Sequence, residues 1–461
     1  MKKNAFYFSI FIFFLMSEII AKKKKSNPKK SETEDRIPSI LMWAKNNNIY
    51  INENLILNKN IDSSHNFFYF TSKSIIKNNT ILLKIPYDIM ISQTLLNDHF
   101  HETKNKKWSK IWDEVAKSKS PYIIDFLTKQ IFYISIIIEN AINRKKGTIY
   151  KKYESYFDMY DYINMDNYPA FYEQDEINFL SSSNFGAELM KLTESLKEEH
   201  SIITKDLKIT TSMLDTYLKY RILTMGNSIS FNNEHLKNEK NYDYNETVVV
   251  PFIDCFNKVI FKNESAAEYF IKKDKNNKYY IEVVSNKIIE KGSEINLKWL
   301  ELSNQDSLLF YGFIEEKNDY APAIYINVFN NLFKKDLGVK NKNYDSIAKV
   351  DLYELNSESF QKDVIESYKN ISQTFPKYKD KAVGKYMMMM DNLKYYLNIY
   401  DDKYTDRNIN LYFTNKEKNR CIKEIMKMEK KIIKSKIKDI KDIIKNLKQR
   451  KKKDHHSTND L

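Results

Sequence analysis

The chain has 461 residues, 42% hydrophobic and 14% aromatic, which provides for two or three domains with their own cores and argues against wholesale disorder. Its seven glycines lie at 147, 186, 226, 292, 312, 338 and 384, the nearest two 20 residues apart. No GxGxxG or P-loop can therefore form, which excludes Rossmann dinucleotide enzymes, P-loop NTPases and ordinary protein kinases. The net charge of +14 sits at the ends: residues 1–30 carry +7 and 421–453 carry +10, leaving −3 for the body and no basic face for nucleic acid.

Two cysteines, Cys255 and Cys421, make no disulfide framework, and the seven histidines lack ligand spacing, so no metal centre is expected. Residues 1–21 run from two lysines through an apolar stretch to Ala21, the layout of a signal peptide. An uncleaved membrane anchor is the alternative, although Ala5–Ser17 is short for a span of about 20 residues. Residues 22–36 form a polar, basic leader. Together these segments fit residence in the secretory pathway or delivery to a secondary, apicoplast-like plastid.

Residues 37–92 alternate short β-rich runs with turn residues; TILLKIP reads as a strand ending at Pro86. Residues 93–240 read as mainly helical, with Ile131, Ile134, Ile138 and Ala141 on one face and Leu189, Leu192 and Leu196 on another helix. Strand patterns return over 241–330 in VVVPFIDCF, KYYIEVVS, EINLKWL and AIYINVF. Residues 331–450 read as helices, and 451–461 as a polar tail. In the last helix Ile433, Ile437, Ile440, Ile444 and Leu447 make a heptad stripe, either a core face or the seam for a partner helix. The lysines of that helix would suit an acidic surface. Met387–Met390 reads as a flexible packing face.

This order resembles SET proteins of the Rubisco large-subunit methyltransferase and actin-histidine methyltransferase type. Trp43 with AKNNNIYIN is similar to the family's opening stretch, and 74–92 matches its next segment through Ile75, Leu82, Leu83, Ile85 and Pro86. Residues 153–180 resemble its helical insertion, and VVVPFIDCFNKV (248–259) its Pro-Asp-Asn block. KGSEINLKWLELSNQDSLLFYGF (291–313) is the most specific match. It sets Gly292, Glu294, Ile295, Ser303, Asn304, Leu308, Leu309, Tyr311, Gly312 and Phe313 at family spacing without a gap. The resemblance spans about 37–450 and implies an α+β chain: a β-rich SET fold with a helical insertion, then an all-helical domain like the family's substrate-binding one. It also implies S-adenosylmethionine as cofactor and a protein as substrate.

Methyl transfer from a sulfonium is an in-line displacement, so such an enzyme mainly positions donor and amine and orients polar groups around them. The resemblance assigns cofactor contacts to Asn66, Phe67 and Phe68, where the family has a Gly-Arg-Gly turn, and to Asn257 and Lys258, where it has Asn-His. It assigns an arginine position to Ile229, the catalytic tyrosine to Trp299, and a second tyrosine to Tyr311. Four devices are thus altered. Bulk replaces glycines that let backbone approach a ligand, a cation replaces histidine, an arginine is lost, and an indole with one donor and no acceptor replaces a phenol. The reading favoured is a SET fold with weak or lost catalysis that works by protein binding. An active protein methyltransferase with an altered pocket, acting on lysine or histidine, is the alternative.

Overall fold

The structure is a computed structural model. It describes residues 36–59, 68–102, 106–117, 126–160, 163–206, 214–232, 245–259, 264–299, 302–315, 318, 325–327, 349–351, 379–380 and 383–457. The signal-like segment 1–21, Asn66 and Phe67 lie outside these residues. No helix of the described residues is long and apolar enough to cross a membrane.

The first strands are β1 (Tyr50–Ile51), β2 (Leu55–Lys59), β3 (Phe68–Ser72), β4 (Ile81–Pro86) and β5 (Ile91–Ser92). Later come β6 (Ser228–Asn232), β7 (Asn245–Val249), β8 (Asn257–Val259), β9 (Ala267–Lys273), β10 (Tyr279–Ser285) and β11 (Asn296–Lys298). A six-stranded sheet has the order β1-β4-β10-β9-β11-β8, flanked by a β2-β3 pair and a β5-β7-β6 sheet. Leu82, Leu83 and Ile85 of β4 are fully buried, which is why this strand reads as an apolar run. Pro86, lacking an N–H, closes it. The β9–β10 turn is made by Asp274, whose Oδ1 accepts the backbone N–H groups of Asn276 at 2.8 Å and Lys278 at 2.9 Å, while Asn277 takes a φ of +61°.

The turn at Gly292, with φ +80°, lays residues 292–295 against β3. Gly292 N–H donates to Ser72 O at 2.8 Å and Ile295 N–H to Phe70 O at 3.1 Å. That pairing lays the start of the specific sequence match alongside β3 at Ser72 and Phe70. Residues 227–232, which the sequence grouped with the helical insertion, are a turn and strand: β6 pairs antiparallel with β7. The run is short and its apolar residues alternate, a pattern that helix spacing hides.

α1 (Arg36–Asn46) opens the stretch 37–92 that the sequence reads as β-rich, and is a helix instead. Among the described residues, the insertion's helices are α2 (Gln93–Glu102), α3 (Lys106–Lys117), α4 (Phe126–Arg144), α5 (Thr148–Tyr160), α6 (Gln174–Leu180), α7 (Asn184–Ser201) and α8 (Leu214–Gly226). In α4 the side chains from Phe132 through Ile138 are all buried. The helix is enclosed on every side, beyond the single face that its isoleucine spacing indicates. After the sheet come α9 (Asn304–Tyr311), α10 (Gly384–Asp402), α11 (Asp406–Tyr412) and α12 (Lys416–Ser457).

Two cores divide the molecule. One unites the sheets with α1 to α5 and α8. The other joins residues 172–189 and 308–314 to α10, α11 and α12, so the C-terminal helices share their core with part of the insertion. Ile433, Ile437, Ile440 and Ile444 are buried in this second core, with Leu447 packed against it. The heptad stripe is therefore a core face. One polar anchor adds to the junction: Lys418 pairs with Glu176 at 3.1 Å over the Tyr172 ring. Within the insertion, a Cβ at Gly186 would lie 1.9 Å from Leu180 O, so only glycine lets α7 approach the end of α6.

Candidate functional site

A cleft of about 360 Å³ opens between the two cores. Phe68, Asn227, Asp254, Asn257, Lys258 and Tyr311 line it, together with Glu417 and Arg420 of α12. Each wall follows from a local device. After β7, Phe252 takes a left-handed conformation, φ +65° and ψ −6°, and starts a short 3-10 turn over Ile253–Cys255. A bulky residue adopts that backbone only under compulsion. Here the compulsion is packing: the buried Phe252 ring sits 6.1 Å from Trp43, 6.4 Å from Phe70 and 6.5 Å from Tyr156. The turn sets Asp254 and, through β8, Lys258 on the cleft.

Tyr311 ends a helix whose two stops are legible residue by residue. Ser303 caps α9 by accepting the Asp306 N–H at 3.1 Å. Gly312, at φ +75°, closes it with its N–H on Leu308 O at 3.1 Å. Asn304 then clasps the exit, accepting the Glu315 N–H at 3.0 Å and donating to Glu315 O at 2.7 Å. The SN…YGF spacing is thus the spacing of a capped two-turn helix.

The floor is electrostatically unusual. The Lys258 ammonium donates to Gly226 O and to Asn227 Oδ1, both at 2.6 Å. It lies 4.5 Å from the Trp299 ring centroid and 5.4 Å from that of Tyr311. Burial lowers its pKa to about 8, with Asp254 and Cys255 pulling it back up. Acceptors and ring faces all favour the charged form, so the ammonium is the resting species at pH 7. Burial likewise pushes the Asp254 carboxyl up to about 6, against the Lys258 charge and the Tyr156 hydroxyl, which donates to it at 3.2 Å. Burial also raises the Tyr311 phenol. The Trp299 indole lies near enough to Tyr311 to temper that rise, but not in hydrogen-bond alignment. Its buried Nε1 has no hydrogen-bond partner among the described residues.

Of the sequence-derived positions, Phe68, Asn257, Lys258 and Tyr311 line one cleft, and Trp299 stands behind Lys258. Ile229 does not: it is buried in β6, and Asn227, two residues earlier, reaches the cleft. Sequence reading missed Asn227, the Gly226 carbonyl, Tyr168 and Arg420. An isolated Asn, Tyr or Arg in this composition carries no signal, and a backbone carbonyl has none. No group of three or more His, Cys, Asp or Glu among the described residues could hold a metal ion.

No family model matches the sequence, and no curated protein does. Solved structures do match. The SET domain of LSMT bound to lysine and AdoHcy aligns with a TM-score of 0.57 at 14% identity, over 92% of this chain and 94% of that one. The same domain bound to methyllysine and AdoHcy gives 0.55 at 15% identity over 90% and 93%. Rubisco LSMT bound to AdoMet gives 0.54 at 14% identity over 90% and 93%. Across nearly its whole length, the chain therefore has the α+β SET fold with C-terminal helices that its motifs indicated.

Proposed function

We propose that this SET-fold chain does not transfer methyl groups and works by binding another protein. The observation that supports this best is the packing of Lys258, on the cleft floor, against Tyr311 and the Trp299 ring behind it. A methyl donor is a sulfonium, and two unit charges about 5 Å apart repel by about 3 kcal/mol at an effective dielectric of about 20. Lys258 can shed its proton instead, which at pH 7 costs a group of pKa about 8 only about 1 kcal/mol. The charge alone thus weakens donor binding about tenfold. The indole does the rest: Trp299 offers no acceptor to orient an amine, and Phe68 fills a place where the family's glycine leaves room. The residues present do not fit the sulfonium cofactor.

S-adenosylmethionine at millimolar concentration is expected to leave the Tm of the full chain unchanged, because a ligand held only by the folded state must raise it. Micromolar binding by calorimetry would overturn the proposal. S-adenosylhomocysteine, which lacks the sulfonium charge, separates charge from shape. If it binds while the donor does not, Lys258 is the barrier. Trp299→Tyr alone is expected to give no methyl incorporation in a radiolabel assay, since Lys258 and Phe68 remain; a clear gain would favour the alternative, an active methyltransferase with an altered pocket. That alternative draws on the retained Asn257 and Tyr311 and on a cleft volume in the range of ligand sites.

For the protein partner, α12 is the surface proposed. Its isoleucines belong to the second core, so a partner would meet its lysine-rich faces, which complement an acidic surface. Such binding must weaken as salt rises; an interaction indifferent to ionic strength would remove this surface from consideration.

A further inference from the structure

We propose that the Gly226 carbonyl, Asn227, Trp299 and Tyr311 form an ammonium-binding site whose occupant is the chain's own Lys258, and that emptying it makes a receptor for a small primary alkylammonium ion. Every group around the Lys258 nitrogen complements positive charge. Two oxygen acceptors stand at 2.6 Å, and two aromatic faces lie within the reach of a cation–π contact. Gly226 is the last residue of α8, so its carbonyl lacks a partner within the helix and carries the negative end of the helix dipole. Asp254 adds a carboxylate whose field acts on the same nitrogen.

The site is built from four separate segments, which is why it is more than a stray contact. The parallel pairing of β8 with β11 opposes Lys258 to Leu297 and puts Trp299 just beyond the pair. The Trp299 backbone N–H donates to Val259 O at 3.0 Å, which fixes the main chain that carries the indole. Tyr311 comes from the end of α9, and Asn227 from the turn after α8. The inference stands whether or not the fold transfers methyl groups, because it concerns the fit between a cation and its cage.

Lys258→Ala removes three methylenes and the ammonium, the equivalent of n-propylamine. In the full chain carrying this substitution, propylammonium chloride is expected to bind in the millimolar range and to raise Tm by about 1 to 2 °C at about ten times its dissociation constant. Wild type should not respond, and 1-propanol, uncharged and of the same length, should stabilise neither protein. No rise in the folded variant, an equal rise in wild type, or an equal effect of 1-propanol would each overturn the proposal. Wild type provides a second measurement that does not depend on the variant folding. With ε-13C-labelled lysine, a resonance whose protons show through-space contacts to both the Trp299 indole and the Tyr311 ring should appear, moved upfield by those rings. A spectrum with no such resonance would also overturn it.

Discussion

Replacing Glu199 by Ala is expected to destabilise the protein by about 3 to 5 kcal/mol, the cost of leaving a buried charge without its partner. Glu199 of α7 and Arg221 of α8 are both almost fully buried. Glu199 Oε2 accepts from Arg221 Nε at 2.9 Å and from the Tyr217 hydroxyl at 2.7 Å, and Oε1 accepts from Arg221 Nη2 at 2.9 Å. Arg221 Nη1 is buried with no partner among the described residues, so the pair is not fully compensated even in wild type. An apolar replacement of both residues should therefore cost much less than removal of one. Glu199→Leu with Arg221→Met is expected to recover most of the loss, a coupling that a double-mutant cycle in urea would measure. If the double variant loses as much as the sum of the singles, the pair is not acting as a unit. The cleft should suffer too, since Ile222, Leu223 and Gly226 of the same helix line it.

The second large effect concerns Glu429, where four segments converge. This buried carboxylate of α12 accepts the Phe185 N–H at 2.8 Å and a hydrogen bond from the Tyr400 hydroxyl. The Tyr400 oxygen in turn accepts the Asn184 N–H at 3.2 Å, and Asn184 donates to Gln305 at 2.9 Å. A residue of the C-terminal helix thus caps the N-terminus of α7, where the helix dipole favours a negative group. Glu429→Ala is expected to cost about 3 kcal/mol, because it orphans two buried donors.

Burial pushes the Glu429 carboxyl up to about 7, while Tyr400, Phe185 and Asn184 pull it down. The sign follows from proton counts: between about 4.5 and 7 the folded state keeps a proton that the unfolded chain has released, so stability falls as pH rises across that window. The full difference is about 3 kcal/mol. Glu429→Gln keeps an acceptor for Phe185 and cannot titrate. The difference in stability between wild type and this variant should therefore change with pH from 4.5 to 7 and be constant outside it. Asp254, raised in the same direction, is present in both proteins and cancels. A difference that is flat with pH would show that Glu429 titrates normally.

Legibility varied with how local the physics is. The strand ending at Pro86 rests on residues a few positions apart, and sequence spacing reports it directly; the capped helix at 303–312 and the Asp-Asn turn at 274–278 rest on equally local side chains, but the strand reading of 241–330 resolved neither. Ile229 failed as a site residue because a one- or two-residue difference in a turn decides whether a side chain meets the cleft or the core. Asn227 won that place through a turn geometry that no pattern of residue types encodes.

By itself, the sequence pointed to the fold class through its resemblance to SET proteins, which rests on motif residues such as Gly292, Ser303, Asn304, Tyr311, Gly312 and Phe313 standing a few positions apart. It also established that glycine-rich phosphate loops are absent, since that is only a matter of counting. Tertiary structure alone decided that the insertion and the C-terminal helices share one core, that the isoleucine stripe of α12 faces inward, and that Lys258 lies against Trp299 and Tyr311. Those outcomes depend on contacts between residues tens to hundreds of positions apart, where side-chain direction and burial are set by packing, and packing leaves no period in the chain.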